Sequence, residues 1–415
     1  MTTTSSSTDG CRFGEGFDFT DPDVMVNGVP HDQFAELRST MPVWWNGQPR
    51  EGNVFSDAGY WAVTKHAHIR EISKNNHAWS TYRKGAVMRL PDGITAEQLD
   101  LTRALLINHD VPEHTRLRKI ISRLFTPRAI SSLTEILRES ARRIAMEAAS
   151  KTDGDFVADV AIHLPLQAIL DLVGFPAEDH ARIFTLANAM INTHDQTPDL
   201  TPEMANAELL GYAYLLAEER RKHPTDDILT TLVQADIDGE ALSEAEFGFF
   251  IVLLVIAGNE TTRNATTHGM NAFLDNPDQW ELYKAQRPAT AVDEIIRWAT
   301  PVHCFQRTAL VDTEIGGVPI ESGDRVGLFY SSANFDEDVF NDPFTFDILR
   351  DPNPHLSFGG SGAHFCVGAN LARLEVGLMF DAIADVLPDI TKVAEPQRLR
   401  AGWLNGAKEF DVRYR

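Results

Sequence analysis

One run near the C-terminal end constrains this chain more than any other: Phe358-Gly-Gly-Ser-Gly-Ala-His-Phe-Cys-Val-Gly368, followed by a segment with helical apolar periodicity. Gly359, Gly360, Gly362 and Gly368 can take positive φ and allow close backbone approach, so N–H groups can point at the Cys366 sulfur. The helix that follows offers its unpaired amides and positive dipole end to the same atom. Both effects lower a thiol pKa and favour a metal-bound thiolate. Taken alone, the run is also compatible with a buried cysteine beside a glycine turn, so the rest of the chain has to decide.

The sequence has 415 residues, 43% hydrophobic and 23% charged, enough to bury a large core. No linker divides it. The Thr/Ser-rich start reads as disordered, which gives an expected organisation of a tail over 1–15 and one large domain over 16–415. A net charge of −23 argues against a nucleic-acid binder and against an anionic membrane surface. The N-terminus lacks the basic start and apolar stretch of a signal peptide. The longest apolar run, Phe247–Gly258, falls well short of the roughly 20 residues of a membrane span and reads as a core helix. Cys11, Cys304 and Cys366 are too scattered for a disulfide framework or a zinc site. A cytoplasmic protein is expected.

Helical signals dominate, and the expected fold is mainly α with a small β region. His31–Thr40 reads as a helix stopped by Pro42, and Gly59–Thr64 as a strand followed by a helix through Ile72. Residues 80–110 read as a long loop carrying Val87, Met88, Leu90, Pro91 and Ile94, and loops of that length inside a compact protein are usually functional. Pro112 opens a helix, and Pro127 interrupts the next. Helices fill 128–225, with breaks at Gly154, Pro176, Pro198–Pro202 and Pro224. One long helix is expected over 243–274 and another over 277–299. Short strands follow at 316–320 and 325–330, and then an irregular meander from Ser331 to Leu356.

Three further motifs carry chemistry. In Ala257-Gly-Asn-Glu-Thr-Thr262 an acid and an alcohol, Glu260 and Thr261, interrupt an apolar helix. Thr261 can bond the carbonyl of Ala257 and bend the helix there, opening a groove suited to proton delivery. Glu294 and Arg297, at i and i+3, share a face among apolar neighbours and read as a buried ion pair kept for specificity or function. His114 and Arg118, at i and i+4, are suited to gripping a carboxylate or phosphate; Arg307 and His364 are candidates for the same task.

Glu260–Thr261, Glu294–Arg297 and the Gly-rich Cys366 loop, in that order and at those separations, resemble the cytochrome P450 haem-thiolate monooxygenases, and the resemblance covers the chain from about residue 16 to the end. It implies the cytochrome P450 fold, a single large triangular helical domain. It implies haem b with Cys366 as the proximal ligand to iron, dioxygen as co-substrate, and His114, Arg118, Arg307 and His364 on the haem propionates. Glu260 and Thr261 become the catalytic acid–alcohol pair. Glu294, Arg297 and Arg350 become a structural triad. The loop departs from the family pattern in placing Phe358 eight rather than seven positions before the cysteine.

That longer loop, with Phe17–Pro22, Pro42–Gly47, Ala257–Asn264 and Arg398–Gly406, is similar to the actinobacterial steroid 26-monooxygenases. These oxidise the terminal side-chain methyl of cholesterol or cholest-4-en-3-one, onward to aldehyde and acid, in sterol catabolism. A fatty acid or terpenoid hydroxylase and a non-catalytic haem sensor are the alternatives. A sterol would need a long apolar pocket, with Val87, Met88, Leu90, Phe249–Val255 and Val302 as candidate walls and His303 and Cys304 as unexpectedly polar additions. The resemblance implies a ferredoxin and a reductase fed by NAD(P)H. Arg116, Arg118, Lys119, Arg123 and Arg128, with no acid among residues 116–128, form a candidate docking segment for an acidic ferredoxin.

Overall fold

The computed structural model describes residues 13–415 apart from 15, 49–53, 56, 91–98, 101, 123–124, 192–199, 226–227, 235 and 238–239. Cys11, Pro91, Ile94, Arg123 and Pro198 therefore lie outside the described residues, as does the 1–15 segment save Phe13 and Gly14. Phe13 packs its ring against Phe17, Phe19 and Trp44 at centroid distances of 5.4, 6.0 and 5.5 Å, so ordered packing begins ahead of residue 16.

Helices form the bulk of the molecule: α1 (Glu113–Ser122), α2 (Pro127–Ala149), α3 (His163–Val173), α4 (Pro202–Lys222), α5 (Glu244–Asp275), α6 (Pro277–Gln286), α7 (Ala291–Ala299) and α8 (Ala369–Val386), with His31–Thr40 and His66–Lys74 near the start. Helix α5 is the axis. Ser243 caps it: its Oγ accepts from the Glu246 amide at 3.2 Å, and Glu246 Oε2 accepts from the Ser243 amide at 2.7 Å. By length and apolarity α5 could cross a membrane. It is instead the core helix the sequence implied, packed on α3, α4, α7 and α8. Its second half buries polar groups that find protein partners, including Thr266 on the Thr262 carbonyl at 3.0 Å and His268 on the Asn405 carbonyl at 3.1 Å.

Gly258 does not break α5. A Cβ there would lie 2.6 Å from Ile169 Cδ1, so the glycine lets α3 press against the central helix. The single helix expected over 277–299 is two, α6 and α7. Pro288 has no amide to continue the ladder, and α6 ends at Arg287, which takes the left-handed conformation at φ 47°.

Five strands make the main sheet: β1 (Val43–Gly47), β2 (Gly59–Val63), β3 (Trp79–Ser80), β4 (Cys304–Ala309) and β5 (Arg325–Phe329), in the order β1-β2-β5-β4-β3. β5 runs parallel to β2 and antiparallel to β4, with Gly327 opposite Gln306. β4 gives no alternating signal because every residue but Phe305 is buried. Thr313–Ile315 and Val318–Ile320 form a separate hairpin. Beneath the main sheet lies an aromatic core of Phe19, Phe34, Trp44, Tyr60 and Phe329.

Candidate active site

The cysteine loop closes between the helix His66–Lys74 and α8. Gly359, Gly360 and Gly362 take φ of 90°, 67° and 83°. At Gly362 a Cβ would fall 2.1 Å from the Ser73 carbonyl oxygen, so no other residue fits that contact. Gly368 differs from expectation: with φ −82° it caps α8 in an ordinary conformation. The Cys366 amide donates to the Phe358 carbonyl at 3.0 Å, and the Phe358 ring lies under the Arg373 guanidinium at 4.6 Å.

Cys366 is accessible, yet burial is the largest influence on its thiol and pushes the pKa up. The Gly368 amide, Arg118 and Arg373 act the other way. The expected amide support is present at Gly368, and Arg118 and Arg373 add to it, but together they do not outweigh desolvation. A bound metal cation would, since a coordinating thiol is deprotonated outright.

Four basic side chains converge beside this loop. His114, from α1, packs its ring against His364 at a tilt of 43°, with centroids 4.2 Å apart. Arg118, one turn further on α1, donates to the Phe365 carbonyl at 2.5 Å. Arg307, buried on β4, donates to the Gln306 carbonyl at 2.8 Å. Burial first, then the neighbouring charges of Arg118, His109 and Arg307, hold His114 at about 4. Burial, then Arg307, His114 and Arg118, hold His364 at about 2. Burial also lowers Arg118 and Arg307. His114 Nδ1 is buried without a hydrogen-bond partner. Asp110, the acid that offsets the cluster, is itself engaged by Ser80 and by the Thr81 amide. Two desolvated guanidiniums beside two imidazoles held neutral, with so little carboxylate compensation, fit a ligand that brings its own anionic groups, as the haem propionates would.

On α5, Phe249, Leu253, Ile256, Ala257 and Thr261 are less buried than the residues around them and recur at helical spacing. This accessible face is apolar until it reaches Thr261, whose hydroxyl donates to the Ala257 carbonyl at 2.8 Å, as expected. Glu260 is placed differently. It is buried, paired with Arg263, and accepts from Asn264 Nδ2 at 2.9 Å. Asn264 Oδ1 in turn accepts from the Ala407 amide at 3.2 Å. No hydrogen bond joins Glu260 to Thr261 among the described residues. Arg263 and Asn264 escaped the sequence reading, although their i+3 and i+4 spacing from Glu260 was there to be read.

The ion pair on α7 is fully buried. Arg297 donates from Nε and Nη2 to Glu294 at 2.8 Å each, and from Nη1 to the Asn334 and Pro343 carbonyls at 2.8 and 3.0 Å. Arg350 joins through Nε at 3.1 Å. The three side chains pin the meander against α7.

His303 and Cys304 do not line a pocket. Both are fully buried, His303 bonded to Ser331 at 2.5 Å and Cys304 directed at the Gly402 carbonyl at 3.7 Å. Between them and Gln306, Phe305 stays half-buried and stacks on Trp403 with centroids 6.0 Å apart. Met88 is likewise core, whereas Val87, Leu90 and Val302 remain partly accessible. The basic segment also shrinks. Arg116 is held by Glu113 and Glu246, and Arg118 turns inward, which leaves Lys119 and Arg128 exposed among its described members.

With this geometry in view, the comparisons with known proteins agree on a family. The cytochrome P450 profile matches residues 289–384. Over 401 residues the chain is 59% identical to the steroid C26-monooxygenase of Rhodococcus jostii, covering 97% of this chain and 85% of the relative. It is 55% identical to the steroid C26-monooxygenase of Mycobacterium tuberculosis, covering 96% and 93%. Among solved structures, a Mycobacterium marinum cytochrome P450 in complex with pseudoionone superposes with a TM-score of 0.85 at 36% identity, covering 92% of this chain and 94% of the other. The chain belongs to the cytochrome P450 family. It is a haem-thiolate monooxygenase that uses dioxygen, draws electrons from redox partners and acts on small molecules.

Proposed function

We propose that this protein hydroxylates the terminal side-chain methyl, the 26-position, of cholesterol or cholest-4-en-3-one and carries it on to the aldehyde and acid. The observation that carries this reading is the accessible face of α5, apolar along Phe249, Leu253, Ile256 and Ala257 and ending at the Thr261 hydroxyl. Such a face suits a long apolar molecule presented end-on, with its methyl near the one alcohol. The steroid C26-monooxygenase relatives support a sterol as that molecule. Residues 16–415 act as one monooxygenase unit in the cytoplasm.

Cys366 would hold the haem iron through Sγ, and His114, Arg118, Arg307 and His364 would hold the propionates, whose negative charge would favour the protonated forms of these side chains. When bound, haem supplies the oxidising chemistry: one atom of dioxygen enters the C–H bond and the other leaves as water, using two electrons and two protons. Thr261 Oγ1 hands protons to the reacting side of α5. Glu260 is the acid behind it: to pass a proton toward Thr261, its carboxylate must leave Arg263 and Asn264 and take a proton up from solvent. The apolar face of α5 excludes water and aligns the substrate chain. A ferredoxin, fed by an NAD(P)H-dependent reductase, supplies the electrons and meets the exposed charges of Lys119 and Arg128.

A second reading has its own support: the chain is 40% identical to a methyl-branched lipid omega-hydroxylase of Mycobacterium tuberculosis. Turnover of cholest-4-en-3-one and a methyl-branched fatty acid side by side, with ferredoxin, reductase and NADH, separates the two. The sterol reading predicts a 26-hydroxylated and then 26-carboxylated product at the higher kcat/KM. Ring hydroxylation, or preference for the fatty acid, refutes it.

A further inference from the structure

Gln306 lies on β4 beside Arg307 but faces the opposite way, and its side chain is fully buried. Its two Nε2 hydrogens are shared among the carbonyls of Lys84 (2.9 Å), Gly85 (3.2 Å) and Val87 (3.1 Å), and its backbone amide donates to the Ala86 carbonyl at 2.7 Å. Arg325, on β5, reaches the next carbonyl, that of Met88, at 3.5 Å, and also donates to Gln306 Oε1 at 3.3 Å. Every carbonyl from residue 84 to residue 88 is thus bonded to one of these two side chains or to the Gln306 amide. From the other side Asn108 Oδ1 accepts from the Ala86 amide at 2.8 Å.

The neighbouring strand accommodates the same segment. Gly327 faces Gln306 across the sheet, and a Cβ there would meet Met88 Cε at 2.7 Å and Sδ at 2.8 Å. Met88 and Ala86 therefore sink into the core, while Val87 between them stays half-buried. A loop would ordinarily let such a residue wander. Here a buried amide, costly to leave unsatisfied, fixes the backbone on both sides of it. The next residue on β4 after the clamp is Arg307, part of the basic cluster. Val87 and the anion-binding cluster are therefore referred to adjacent positions of one strand.

We propose that Gln306 is a positioning residue for substrate discrimination: by clamping 84–88 it holds Val87 at a set height over the substrate site, which favours a rigid, wide molecule over a thin chain. This rests on the reading that the 80–110 loop contacts substrate. The clamp would not take part in proton transfer or in holding the haem.

The test uses holoenzyme carrying Gln306→Leu, which keeps the volume and removes the amide. Hydrogen exchange over 84–90 and haem spin-state titrations with cholest-4-en-3-one and palmitate are compared with wild type. Expected are at least tenfold faster exchange over 84–90 and at least a tenfold fall in the sterol-to-palmitate affinity ratio, at unchanged haem content. Unchanged exchange overturns the clamp. Faster exchange with an unchanged ratio overturns its role in discrimination, because a merely structural residue would weaken both ligands alike. Should Gln306→Leu fail to take up haem, Val87→Phe replaces it: a sterol-to-palmitate ratio shifted tenfold supports the proposal, and an unshifted one overturns it. Wild type that ignores sterols refutes the sterol function, while exchange and the affinity ratio of a terpene to palmitate still judge the clamp.

Discussion

Replacing Glu294 with alanine should cost more stability than any single truncation elsewhere on α7. Arg297 is fully buried, and its guanidinium lies 5.0 Å from the Phe335 ring and 5.3 Å from the Phe340 ring. Without the carboxylate, a charge is left unpaired in an apolar setting, a loss of about 3–5 kcal/mol. Glu294 also accepts from the Asp347 amide and from Asn353 Nδ2, each at 3.0 Å. Both groups are part-buried, so each adds a further ~1 kcal/mol at the low end of the range for an unsatisfied donor. The total, about 5–7 kcal/mol, is comparable to the whole net stability of many domains, about 5–15 kcal/mol. Urea unfolding of the holoprotein, followed by circular dichroism, reads the effect as a lower midpoint at similar slope. Whatever Glu294→Ala protein remains folded should turn over normally per haem, since the triad holds the meander and touches no reacting group. A loss below about 1 kcal/mol would refute the argument that the buried pair organises this region.

Thr261→Ala should uncouple electron consumption from product and release peroxide, with stability changed by less than about 1 kcal/mol because alanine is the better helix former; unchanged coupling, read as NADH oxidised per product formed, contradicts the role of Thr261. Stability should also fall in mild acid. Burial is the main cause holding His268 and His303 at about 3, whereas in the unfolded chain a histidine titrates near 6.5. Their folded values are depressed, so the contribution is complete above pH 6.5 and is lost as pH falls toward 3, at about 1.4 kcal/mol per pH unit for each histidine. Urea midpoints between pH 7.5 and 5 should show this slope, and His303→Gln should flatten it; an equal slope in the variant would show that His303 is not its source.

The sequence was most legible where residue chemistry is rare. A glycine-rich approach to a lone cysteine and a short-range Glu–Arg pair rest on local spacing, and the structure presents both as local arrangements. What escaped depended on distant partners. β4 is buried along nearly its whole length, so its residues carry no alternation, and His303 and Cys304 were assigned to a cavity they turn away from. The Arg116 charge looked available because its partner Glu246 lies 130 residues away. Glu260 looked ready to meet Thr261, but Arg263 and Asn264 claim its carboxylate. The break between α6 and α7 was readable in Pro288, which has no amide to carry a helix through 277–299.

The most direct test is the carbon monoxide difference spectrum of the reduced protein, recorded for wild type and for Cys366→Ser. Ligation through the Cys366 thiolate predicts the long-wavelength Soret band of a thiolate-bound haem in wild type and its loss in the variant, along with loss of hydroxylation. A globin-like band in freshly prepared wild type, or an unaltered thiolate band in Cys366→Ser, would contradict the assignment on which the active site is built.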